Sequence, residues 1–221
     1  MSSLTPLLNC KRLVSWTLAP SEQAPTSSHR KPHEINPRGN IRTLVHRNTR
    51  QNILGAPSFA PGVEQQAGRS TISVTSTNAA AQQLNHAVYE RLVDAGAIDP
   101  ATVTHGMDGD PIAAGAQVAT RENDPELGVA NRQTWTVRSV NADGRITVAD
   151  PTTGHHRTLD ADYVAEHVQL AYAVTGHGAQ GMTVDTAHTV LSDEMDAAGA
   201  YVGMTRGRTA NVLHVVAVDE Q

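Results

Sequence analysis

The spacing of apolar and polar positions changes character near Ser70. Before it, residues 1–69 hold no sustained period, and Pro6, Pro20, Pro25, Pro32, Pro37, Pro57 and Pro61 recur among Ser, Thr, Asn and Gln. Helix and strand interiors tolerate neither that proline density nor that polarity, so a disordered or low-order segment is expected there. From Ser70, Ile72 and Val74 alternate with Thr71, Ser73 and Thr75, which predicts a short strand. A helix is predicted over 79–95, capped by Thr77 or Asn78, with Leu84, Val88, Leu92 and Ala95 on one stripe and Gly96 as the residue past its end.

Between 106 and 165 the pattern shortens. Strands are predicted over 117–120, 134–140, 145–149 and 157–159, with a hairpin turn at Asn141-Ala142-Asp143-Gly144. Several short strands separated by turns suggest a small β-barrel or meander. Longer apolar runs return afterwards. They predict strands over 168–174, 184–191 and 211–218 and a helix over 194–204. Strands alternating with helices imply an α/β fold with a parallel sheet. The expected organisation is a tail (1–69), a strand–helix part (70–105), an inserted small β-barrel (106–165) and the remainder of the α/β domain (166–221).

Composition changes this picture in three ways. The apolar fraction is 39% and the aromatic fraction 3%, so Ala, Val, Leu and Ile must build the core. No stretch approaches the roughly 18–20 apolar residues of a membrane span, and the first charges follow the apolar start instead of preceding it, so neither membrane nor secretion is expected. The lone Cys10 excludes an intramolecular disulfide framework and a cysteine-rich zinc site, and a cytoplasmic protein is the expectation. The net charge of −5 is unevenly spread. Residues 1–70 carry nine Lys and Arg against three Asp and Glu, whereas 71–221 carry eight against 19. A basic tail precedes an acidic body, and bulk charge would direct only the tail to nucleic acid.

Two segments carry candidate chemistry. Tyr172-Ala173-Val174-Thr175-Gly176-His177-Gly178-Ala179-Gln180-Gly181-Met182-Thr183-Val184-Asp185 lies between two predicted strands. Its glycines admit close backbone approach, and Thr175, His177, Gln180 and Thr183 offer hydroxyl, imidazole and amide groups. No nucleophile–base pair is among them, so this is a binding loop suited to phosphate or sugar oxygens. Tyr201-Val202-Gly203-Met204-Thr205-Arg206-Gly207-Arg208 ends the last predicted helix. Arginine offers a permanently charged fork for phosphate. In isolation the same arginines read equally as partners for the negative helix end.

Together these segments resemble the last two motifs of superfamily 1 DNA helicases, in the RecD-like form of conjugative relaxase–helicases. That form reads approximately Y-A-x-T-x-H-(K/R)-x-Q-G-x-T-V-D and Y-V-x-x-T-R-(G/A)-R. The resemblance extends through Val118-Ala119-Thr120-Arg121-Glu122-Asn123-Asp124, Trp135-Thr136-Val137 and Tyr163-Val164 in the inserted barrel, and back to Thr77-Asn78 and Leu84-Asn85. It covers residues 71–217 and none of the tail. It implies a partial RecA-like parallel sheet, and a C-terminal domain or fragment of an ATP-dependent DNA helicase. By position it makes Arg206 the catalytic finger that reaches the γ-phosphate of ATP, and places Gln180, Gly181 and Thr183 by the nucleotide. It sets Thr175 and His177 against single-stranded DNA, with Arg208 left open between a phosphate and a helix-end role.

The departures from the pattern define what is expected of the chain. Gly178 stands where a basic residue is usual, and Ala116 and Arg132-Gln133 replace polar or acidic turn residues. The sequence has no G-x-x-x-x-G-K-[ST] loop to cradle phosphates and no Asp-Glu pair at the end of an apolar strand before the motifs. ATP and Mg²⁺ are therefore expected only in an assembly completed by a first RecA-like domain, in cis or in trans, and the chain alone is expected to be inactive. The competing expectation is a non-enzymatic nucleic-acid or protein binding module with vestigial helicase motifs. A remnant without function is the third. His155-His156 reads as solvated loop, no metal site is expected, and Tyr172, Tyr201 and Trp135 read as core.

Overall fold

The computed structural model describes residues 40–47 and 68–217. Five parallel strands form one sheet in the order β1 (Asn40–Arg47), β12 (Gly207–Ala217), β11 (Val184–Leu191), β2 (Thr71–Thr75) and β10 (Ala173–Thr175). Every residue of β2 is buried, as a central strand covered on both faces must be. Helix α1 (Asn78–Asp94) begins where the Thr77 hydroxyl accepts from the Ala80 N–H at 3.1 Å, and it ends ahead of Gly96 at φ +70°. Leu84, Val88 and Leu92 are buried as the stripe predicts, while Ala95 is the exposed C-cap.

The insert is an antiparallel sheet in the order β8 (His156–Leu159), β7 (Ile146–Ala149), β6 (Thr134–Val140), β5 (Gln117–Thr120) and β9 (Val168–Leu170). A hairpin of β3 (Asp99–His105) and β4 (Pro111–Ala114) packs beside it, joined through a 3₁₀ turn at Met107–Gly109. Helix α2 (Ala161–His167) leads into β9. One core runs from α1 through the insert, from Leu84 and Val88 to Ile112, Trp135, Leu159 and Leu170. A smaller core of Ile72, Val74, Ala179, Val184 and Ala187 lies within the parallel sheet and its loop.

Several expectations are corrected. The apolar run 168–174 is two strands, because β9 pairs antiparallel with β5 and β10 pairs parallel with β2. The insert therefore extends to Leu170, beyond 165. β3 lies inside the segment 70–105 expected to hold only a strand–helix unit. The exposed faces of β3 and the proline at its second position hid it. The expected low-order tail 1–69 lies outside the described residues except at Asn40–Arg47, which forms β1, and at Gly68 and Arg69. That stretch is free of proline between Pro37 and Pro57, a local feature lost in the average over the tail. The last helix, α3 (Ala197–Gly203), is shorter than 194–204 because the Asp196 carboxylate caps it, accepting from Gly199 N–H at 2.7 Å. Tyr201 is 62% exposed and not core, whereas Tyr172 and Trp135 are fully buried. No helix among the described residues is long and apolar enough to cross a membrane.

The passage from β9 to β10 depends on Asn85. Its Oδ1 accepts from the N–H groups of Tyr172 (2.8 Å) and Ala173 (2.7 Å), and its Nδ2 donates to the Ala173 carbonyl at 3.1 Å. All of these groups are buried. Asn85→Ala should lower the unfolding free energy by about 2–4 kcal/mol, because it leaves buried backbone groups unpaired. Urea titration measures this, and a loss below roughly 1 kcal/mol would show that water replaces the amide.

Candidate functional site

The loop 176–183 leaves the C-terminal end of β10 and returns as β11. Its first turn closes when the Thr175 hydroxyl accepts from Gly178 N–H at 3.2 Å and the Thr175 carbonyl accepts from Ala179 N–H at 2.9 Å. Ala179 is buried beneath the loop, so His177 and Gln180 on either side of it face outward. Gly176 approaches Gly199 of α3 so closely that a Cβ would sit 3.1 Å from the Gly199 Cα, which fixes the loop against that helix.

An open cleft of about 1190 Å³ lies over this end of the sheet. Thr175, His177 and Gln180 line it from the loop, Thr77 and Asn78 from the start of α1, and Arg121 and Arg132 from the insert. Gly181, Thr183 and Arg206 lie outside it. The cleft is thus bounded by the parallel sheet on one side and the antiparallel insert on the other.

Arg206 follows α3, half-buried, with its fork fully engaged. Nε donates to the Val202 carbonyl at 2.9 Å, and one terminal nitrogen to Thr205 Oγ1 at 2.9 Å. The other terminal nitrogen donates to the Met182 carbonyl at 3.2 Å. The first two contacts are those of a helix-end arginine. The third ties the helix end to the glycine-rich loop, so one guanidinium joins the two sequence motifs. Gly207 beside it is required by space, since any Cβ would collide with the Ala210 carbonyl. The Asn211 amide closes this corner by pairing with both backbone groups of Gly207.

Arg208 points elsewhere. It pairs with Asp185 Oδ1 at 3.0 Å on the surface, while Asp185 Oδ2 accepts from the N–H and hydroxyl of Ser70, each at 2.8 Å. These hydrogen bonds from Ser70, and then the Arg208 charge, hold the Asp185 carboxyl below its ordinary range. The helix-end role left open for Arg208 is not the one it takes; it clamps the strand that follows the first motif.

Sequence reasoning missed several polar contacts. His86 Nε2 lies 2.6 Å from Asp110 Oδ1, which links α1 to the insert, and Asp110 Oδ2 accepts from Leu170 N–H at 2.8 Å. His188 Nδ1 and His214 Nε2 meet at 3.0 Å across β11 and β12, fully buried. Nothing in the spacing of scattered histidines signals either pair. Asp193 and Glu194 precede α3. Among the described residues no group of three His, Cys, Asp or Glu is arranged to hold a metal ion.

No protein-family model matches the chain. An uncharacterized protein of Mycobacterium tuberculosis, Rv2311, is 30% identical over 119 residues, which is 48% of this chain and 68% of that protein. The conjugal transfer protein TraA of Agrobacterium fabrum is 26% identical over 182 residues, 77% of this chain but 16% of TraA. The Pif1 helicase from Bacteroides, solved in complex with ADP-AlF3 and ssDNA, shares the fold at a TM-score of 0.51 and 19% identity, covering 72% of this chain and 43% of that one. The chain belongs to the family of the mycobacterial protein, and its fold is similar to part of the Pif1 helicase. The chain spans less than half of the Pif1 chain and a small part of TraA.

The Asp185 clamp has a defined pH signature. A carboxyl whose native pKa lies below its unfolded value of 3.8 stabilises the fold fully above that value and loses the contribution as pH falls through the native one. The stability difference between the wild type and Asp185→Asn should be constant from neutrality down to about pH 5 and shrink below it. Thermal unfolding of both chains across that range measures it, and a difference independent of pH would remove Asp185 as a titrating clamp.

Proposed function

We propose that this domain is the DNA-holding half of an ATP-dependent motor of conjugative relaxase type, acting in the cytoplasm on single-stranded DNA. The supporting observation is the Arg206–Met182 bond, which couples the loop facing the cleft to the residue that the helicase resemblance assigns to ATP. Thr175 and His177 are the contacts to the sugar–phosphate backbone, since both line the cleft with hydroxyl and imidazole groups. Gln180, Gly181 and Thr183 lie in the same loop on either side of Met182, next to the arginine. Movement of Arg206 toward a γ-phosphate would break its bonds to Val202, Thr205 and Met182, and the loop would feel that loss directly.

The residues present do not fit the role of holding ATP and Mg²⁺. The sequence lacks a phosphate loop, and no metal-binding cluster exists among the described residues. A first RecA-like domain, in cis or in trans, supplies both in this reading. The chain contributes Arg206, whose charge would stabilise the phosphoryl-transfer transition state.

The full chain alone should not hydrolyse ATP, with or without single-stranded DNA. Mixed with a first RecA-like domain that carries the phosphate loop, it should confer DNA-stimulated hydrolysis in a steady-state assay. Arg206→Ala should remove that gain, on the order of 10³-fold, with an unchanged circular dichroism spectrum. Hydrolysis by the chain alone, or equal rates for wild type and Arg206→Ala, would overturn the assignment. DNA binding that no nucleotide affects would instead favour a binding module without enzymatic function.

A further inference from the structure

We propose that Arg121 and Arg132 form a phosphate-binding pair on the insert wall of the cleft, gripping the nucleic-acid backbone opposite Thr175 and His177. This rests on the single-stranded DNA reading above and adds a second, independent wall to it.

The pair is built by backbone geometry. The turn at 130–133 wraps the end of β5, with Thr120 Oγ1 donating to the Ala130 carbonyl at 2.6 Å and Arg132 N–H donating to the Thr120 carbonyl at 2.7 Å. This brings Arg132 beside Arg121, the residue after Thr120. Arg121 is held in place by its N–H on the His167 carbonyl at 2.7 Å and by its Nε on Gln169 Oε1 at 2.7 Å. Its two terminal nitrogens have no hydrogen-bond partner among the described residues. Burial, and then the Arg132 charge, lower its pKa. It stays protonated near neutrality, as arginine does.

Three features separate this pair from ordinary surface arginines. Neither forms an ion pair among the described residues, although acidic groups line the same cleft. Those carboxylates already accept other hydrogen bonds: Asp110 is bonded to His86 and Leu170 N–H, Asp108 to Gln169 Nε2 at 2.9 Å, Asp196 to Gly199 N–H, and Glu194 to Ser76 Oγ at 3.5 Å. Arg132 also sits at φ +66°, a left-handed conformation that disfavours any L side chain and suits glycine. An exposed turn that carries arginine at a position favouring glycine keeps a charge there against conformational preference. Two adjacent unpaired forks in a cleft match a chain of phosphodiesters, each with its own negative charge.

Arg132→Gly separates this role from a structural one, because it relieves the backbone while removing the fork. The variant should melt at or above the wild-type temperature yet bind a fluorescent dT20 strand more weakly in anisotropy titrations. The slope of log affinity against log salt should fall by about 0.7 for each arginine removed. Arg121→Lys, which keeps the charge and loses the fork, should weaken binding at every salt concentration with little change in slope. Unchanged affinity and slope in Arg132→Gly and Arg121→Lys, with a wild type that binds dT20, would overturn the pair and leave the single-stranded DNA reading standing. A wild-type chain that does not bind dT20 would overturn both. Pyrophosphate that displaces dT20 from the wild type but not from Arg132→Gly would show that the pair takes terminal phosphates, and would overturn the backbone assignment.

Discussion

Everything on the cleft side of this domain depends on one buried amide. At Ala171-Tyr172 the chain leaves an antiparallel sheet and enters a parallel one; Ala171 N–H still donates to the Gln117 carbonyl and the Tyr172 carbonyl still accepts from Ser73 N–H, but the backbone groups facing α1 belong to neither ladder. Asn85 satisfies three of them from α1. The Tyr172 hydroxyl, buried by the same crossing, accepts from Gln117 N–H at 2.9 Å and so ties the crossing to β5. A buried polar group left without such a partner costs about 1–3 kcal/mol. The register of β10 therefore follows from α1, and with it the position of Thr175 and of the loop beyond.

Arg206 is the second constraint, and it is a divided one. Its three bonds give it the contacts of a helix-end residue, yet one of them reaches the loop of the other motif. Both descriptions hold at once. A half-buried guanidinium bonded to two neutral carbonyls and a hydroxyl gains about 1.5–3 kcal/mol for each bond, because the donor is charged. A phosphate offers stronger, charge-assisted bonds in their place. An arginine parked in this way is positioned without being trapped.

Strands β11 and β12 were legible as apolar runs bounded by turns, β2 by its alternation, and α1 because its cap, stripe and terminal glycine agree. The two motifs were legible because their residue types are unusual at those spacings. The split of 168–174 was not, since a continuous apolar run looks the same whether it serves one buried sheet or two. β3 was hidden by exposure on both faces, and β1 by the prolines that flank it. Tyr201 was misread because a tyrosine at the start of a helical turn carries no mark of which way it faces. The His188–His214 and His86–Asp110 contacts join elements far apart in sequence, and a pattern read along the chain cannot register them.

The acidic body and the nucleic-acid reading are reconciled by where the charges are spent. Bulk charge acts through the solvent and is screened within about 8–10 Å at ordinary ionic strength. What a strand in the cleft meets is the local set of groups, and there the carboxylates are hydrogen-bonded to His86, Gln169, Ser76 and backbone N–H donors. Each such bond occupies an acceptor that would otherwise compete with a phosphate for the arginine donors, though the carboxylate keeps its charge, and the Arg121 fork keeps its terminal donors. Net charge thus describes the domain as a whole, whereas hydrogen-bond geometry decides which donors in the cleft stay open to a phosphate.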